Sequence, residues 1–140
     1  MDITQIKHIL AQYKPLKSEY ALFTTLNPEA DAEHISLVRR KLRVLDALFD
    51  MLPEEECFVV KKHIVEKLAW PLVNADHTLR WERATIRPER SLKRMQAWAI
   101  NTLLAHIEEN GLTASIAELF DFPTANGEVG TFPQSKMSLL

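Results

Sequence analysis

Apolar residues recur along the chain at spacings of three and four, the mark of helices that each bury one face. Ile3, Ile6, Ile9, Leu10 and Tyr13 make one face of a short helix over residues 3–13. Pro15 is expected to end or kink it. "LKSEYALFTTL" reads as a second, short helical turn or an irregular segment. "NPEADAEHISLVRRKLRVLDALFDML" opens with Asn27 as a cap and Pro28 at the first helical position. Its stripe runs Ile35, Val38, Leu42, Leu45, Leu48, Phe49 and Leu52, with Arg39, Arg40, Lys41 and Arg43 on the solvated side.

The next stretch, "LPEEECFVVKKHIVEKLAWPLV", has the makings of another helix. Pro53 is preorganised for a first turn, and Glu54, Glu55 and Glu56 suit the positive end of the helix dipole. Phe58, Val59, Ile64, Val65 and Leu68 form its apolar side, and Pro71 is expected to stop it. "VNADH" reads as a polar linker. "TLRWERATI" predicts a helix of about two turns capped by Thr78, broken at Arg87 and Pro88. The longest helix then spans roughly 88–109, burying Leu92, Met95, Ala99, Leu103 and Ile107 with Trp98 or Ile100 flanking, and ends at Gly111. "LTASIAELFDF" predicts a last helix capped by Thr113, and the remainder to Leu140 has no periodicity.

The expected fold is therefore all-α, a small helical domain over residues 1–111, with residues 112–140 as a C-terminal helix and irregular tail. Composition agrees. The chain has 140 residues, 46% hydrophobic and 26% charged, and its three glycines all lie beyond residue 110. With so few sharp turns, a Gly-loop nucleotide fold or a β-sandwich is not expected. No apolar run approaches the ~20 residues of a membrane helix, and "MDITQIKHIL", with an early acid and no long apolar core, is not expected to be a secretion signal. A lone cysteine, Cys57, rules out an internal disulfide and suits a cytoplasmic setting.

The second half reads helix, break, short helix, tight break, long helix, which is the order of a helix-turn-helix over about 54–109. Charge changes the picture here. The whole chain is at −2, but between Thr78 and Ile107 six basic residues (Arg80, Arg83, Arg87, Arg90, Lys93, Arg94) face two acids, Glu82 and Glu89. The basic residues crowd the short helix, the break and the first turns of the long helix, and none follows Arg94 up to Ile107. A recognition helix needs cations at the end that enters the groove, where arginine forks to guanine and lysine holds phosphate. An ordinary solvated face is the plainer alternative.

"LPEEECFVV" resembles the opening of region 4 of bacterial sigma factors, and "TLRWERATIRPERSLKRMQAWAINTLL" resembles the rest of that region. With "ILAQYKPLK" upstream, the order is similar to the ArpU/RinA group of phage and prophage transcription regulators, over roughly residues 3–107. Residues 69–77 have no counterpart in that pattern. The resemblance implies a sigma-region-4-like helix-turn-helix, a double-stranded DNA target, and activation of late or lytic genes. It implies groove-facing roles for Glu89, Arg90, Lys93 and Arg94, and phosphate contacts from Arg87 and from Arg80 or Arg83. RNA polymerase, another regulator or a second copy of the chain are the expected protein partners. The alternative is a non-enzymatic protein-interaction module that keeps the fold without binding DNA.

Catalytic or metal chemistry has little footing. His63 and Glu66 stand three apart, as a metal pair would, but a solvated helix surface is the expected reading. His8, His34, His77 and His106 share no spacing, Cys57 sits in no motif, and there is no phosphate loop or paired carboxylate motif. Neither an enzyme nor a cofactor is expected. Of the three tryptophans, two are expected in packing, with Trp98 free to meet a partner chain.

Overall fold

The computed structural model describes residues 1–26, 32–81 and 89–122. It is all-α, with no strand among the described residues. The elements are α1 (Ile3–Ala11), α2 (Tyr13–Leu26), α3 (Ala32–Asp50), α4 (Glu54–Val60) running into a π-helical segment (Lys61–Val65), α5 (Trp70–Trp81), α6 (Glu89–Glu109) and α7 (Thr113–Leu119). Among the described residues no helix is long and apolar enough to cross a membrane.

A capping box starts α1. The Asp2 carboxylate accepts from the Gln5 N–H at 2.9 Å, and the Gln5 side chain accepts from the Asp2 N–H at 2.9 Å. Pro15 does not break the chain. It is the third residue of α2, in a first turn where a missing N–H has no intrahelical acceptor to disappoint. The segment expected as a short helical turn or an irregular stretch is thus part of a regular 14-residue helix. α2 lies along α3, and of its residues only Leu16 is buried. The expected cap Asn27 and Pro28 lie outside the described residues.

α3 buries Val38, Leu45, Leu48 and Phe49, as its stripe predicts. Pro53 takes the cap position of α4, with its carbonyl accepting from the Cys57 N–H at 2.9 Å and the three glutamates in the first turn. The helix then widens, and Glu66 N–H reaches back five residues to the Lys61 carbonyl. It ends before Pro71. Lys67 takes a left-handed conformation (φ 59°), and Leu68 N–H closes on the Lys62 carbonyl at 3.1 Å. Pro71 is the second residue of α5, so it opens a helix instead of stopping one. "VNADH" is helix and not linker, and Thr78 lies inside it, its hydroxyl donating to the Asn74 carbonyl at 3.0 Å. The break at 87–88 lies outside the described residues.

α6 ends as predicted at Gly111 (φ 66°), where Gly111 N–H bonds to the Glu108 carbonyl and Leu112 N–H to that of Ile107. Leu112, not Thr113, is the cap of α7, with no side-chain cap bond. Ile116 and Phe120 enter the same core as α1, α3 and the second half of α6, so α7 shares the core of residues 1–111. A second, smaller cluster of Val59, Val73 and Leu92, bordered by Leu68, Trp70 and Met95, joins α4, α5 and the first half of α6.

Candidate nucleic-acid interface

The small cluster decides where the start of α6 points. Leu92 is fully buried against Val59 and Val73, so the opposite side of that turn faces water. Arg90, Lys93 and Arg94 are there, all exposed. Lys93 pairs with Glu89 one turn back at 3.3 Å, and Glu89 is half-buried. Among the described residues, no carboxylate pairs with Arg90 or Arg94. Both guanidinium groups keep their donors for a ligand. Arg80, at the end of α5, is half-exposed and bonded to Glu54 of α4, with its guanidinium 4.8 Å from the Trp81 ring centre. Arg83 and Arg87 lie outside the described residues.

Two polar clamps hold this corner, and the sequence signals neither. His77 is 1% exposed. Its Nε2 meets the Glu55 carboxylate at 2.7 Å, and its ring stacks on Trp81 at 4.9 Å and 22°. Phe58 meets Trp81 edge-on at 4.9 Å. Together these tie the last turns of α5 to the first turns of α4. The second clamp is His63, whose Nδ1 lies 3.0 Å from Oε1 of Gln96, a side chain buried on α6. The amide oxygen only accepts, so His63 Nδ1–H donates. The imidazole stacks on Trp70 at 3.9 Å and 21°. Burial pushes its pKa down, the bond to Gln96 opposes, and Lys7 and Lys93 push it further down. The π segment, α5 and α6 therefore meet at one imidazole whose neutral form is favoured.

His63 is thus a half-buried joint and not the solvated residue expected, and it does not gather with Glu66, whose carboxylate faces Lys62 at 3.7 Å. Among the described residues no three His, Cys, Asp or Glu side chains come together as a metal set. Cys57 is half-buried, and burial raises its thiol pKa against the pull of Lys61, which makes a poor nucleophile. Trp70 and Trp81 pack as expected, while Trp98 is 70% exposed and Ile100 is the buried member of that pair. One signal for α5 did exist. Trp70, Val73, His77 and Trp81 stand three, four and four apart, a helical stripe running through Pro71 and the supposed linker.

The chain matches no protein-family model, no curated protein and no solved structure.

Proposed function

We propose that this protein is a DNA-binding transcription regulator that enters the major groove with the first turns of α6. The observation that carries the reading is the orientation of α6: Leu92 and Gln96 fix one face inward while Arg90 and Arg94 stand exposed on the other, without an ion pair among the described residues. In the proposal, Arg90 and Arg94 read base edges, Lys93 holds phosphate, Glu89 positions Lys93, and Arg80 lies against the backbone. Arg83 and Arg87 extend the same basic run in sequence. The resemblance to ArpU/RinA regulators and to sigma region 4 extends the proposal to a phage or prophage activator of late or lytic genes, acting in the cytoplasm, alone against RNA polymerase or as a homodimer.

A second reading rests on the other exposed faces. Leu72 and Leu79 stand seven residues apart on the outside of α5, at 55% and 75% exposure, and Trp98 of α6 is exposed as well. A regulator that works by gripping another regulator or RNA polymerase would use such residues.

An anisotropy titration against duplexes from the gene's own neighbourhood, at two salt concentrations, separates the readings. Arg90→Ala/Lys93→Ala/Arg94→Ala is expected to abolish sequence-selective binding and flatten its salt dependence, each base-reading arginine accounting for about 1–3 kcal/mol. Binding indifferent to sequence and to these changes would reject DNA reading in favour of the protein partner.

A further inference from the structure

The exposed side of α6 does not end where its charge ends. Arg90, Arg94, Ala97 and Asn101 follow at spacings of four, three and four, so they stand in one line along the helix. All four are exposed, while Leu92, Gln96, Ala99, Ile100 and Leu103 are buried on the opposite side. At ~1.5 Å per residue the line runs about 16 Å, roughly five base pairs at ~3.4 Å each.

The chemistry changes along the line. Its first part is two guanidinium groups, neither with an ion pair among the described residues. Ala97 offers no side chain beyond its methyl, so a groove can approach the backbone there more closely than anywhere else along the line. One turn on, Asn101 presents a carboxamide to which no other group bonds among the described residues. The neighbouring Thr102 hydroxyl, by contrast, donates to the Trp98 carbonyl. An unbonded asparagine amide on a groove-facing line matches the paired donor and acceptor of adenine N6 and N7.

We infer that the readout face of α6 extends through Ala97, as the point of closest approach, to Asn101, which determines specificity by taking an adenine about three base pairs from the base read by Arg94. This rests on the DNA-reading proposal above. It assigns to the third and fourth turns of α6 a neutral half of the interface that the basic gradient does not reveal.

Selection from a random duplex library tests it, run in parallel with wild type, Asn101→Ala, Ala97→Leu and Arg94→Ala. All three positions are exposed, and circular dichroism checks that each variant keeps its helices. Wild type is expected to recover a motif holding both a guanine and an adenine position. Asn101→Ala should lose the adenine preference alone, with affinity for the wild-type motif falling about tenfold. Arg94→Ala should lose the guanine and keep the adenine. Ala97→Leu should weaken all sequences alike. A motif unchanged in Asn101→Ala overturns this inference and leaves DNA reading by the arginines standing. Failure of wild type to enrich any motif overturns both.

Discussion

The main core and the small cluster beneath α4, α5 and α6 hold their helices by different chemistry. In the main core Ile6, Ile9, Leu10, Leu45, Ile100 and Leu103 are all fully buried, and no polar residue is buried among them. In the small cluster only Val59, Val73 and Leu92 are buried apolar groups. The two buried polar residues of the described chain, His77 and Gln96, are both found at this corner, bonded to Glu55 and His63. Apolar burial is non-directional and supplies most of the stabilisation, whereas a hydrogen bond contributes less net energy but fixes an angle. The main core thus holds the domain together, and the corner sets the direction in which α6 presents Arg90 and Arg94. A surface that must match a groove gains more from fixed geometry than from additional buried area.

The contrast can be broken from either side. The largest effect belongs to the main core. Leu103→Ala should destabilise the whole domain by about 3–5 kcal/mol, seen as a single lower midpoint in denaturant, because its neighbours collapse only partly into the void. The corner should fail locally. His77→Ala removes the bond to Glu55 and the stack on Trp81, at a cost of about 2–3 kcal/mol. Its amides in α5 should exchange faster while those of α3 keep their protection, a pattern resolved by hydrogen exchange. A uniform loss of protection would mean that corner and core are one cooperative unit.

A smaller effect of opposite sign is expected between them. Lys67 is exposed and holds a left-handed conformation that a side chain disfavours. Lys67→Gly should stabilise by about 0.5–1 kcal/mol, the relief of strain partly offset by the greater freedom of glycine in the unfolded chain. A thermal melt reads this directly.

The smallest effect is a pH dependence. Burial lowers the pKa of His63, so the folded state holds the ring neutral more firmly than the unfolded state does. Its contribution is full above the ordinary histidine value of about 6.5 and is lost as pH falls through that value towards the lower folded one. Wild type should therefore lose more thermal stability than His63→Gln between pH 7.5 and 5.5. Equal losses in the two proteins would show that the stack on Trp70 does not exclude the charged ring.

The same contrast explains what the sequence made legible. α3 and α6 follow their apolar stripes, and Gly111 ends α6 as its type predicts, because repeated burial on one face and a glycine stop are local signals. α5 was obscured by two local signals that point elsewhere. Pro71 usually ends helices but is tolerated in a first turn, and the actual stop before it is Lys67, a residue type that does not advertise a left-handed conformation. The exposed arginines of α6 were legible from the charge gradient. The clamps were not, since Glu55 and His77 stand 22 residues apart and His63 and Gln96 stand 33 apart, and only packing brings each pair together.

The central claim is that the corner of α5 and α6, and not the α2–α3 pair, meets DNA. A hydrogen-exchange footprint with and without a bound genomic duplex tests it most directly. New protection confined to the end of α5 and to residues 89–101 of α6, with α2 and α3 unchanged, is the result predicted. Protection centred on α2 and α3, or none on α6, would contradict it.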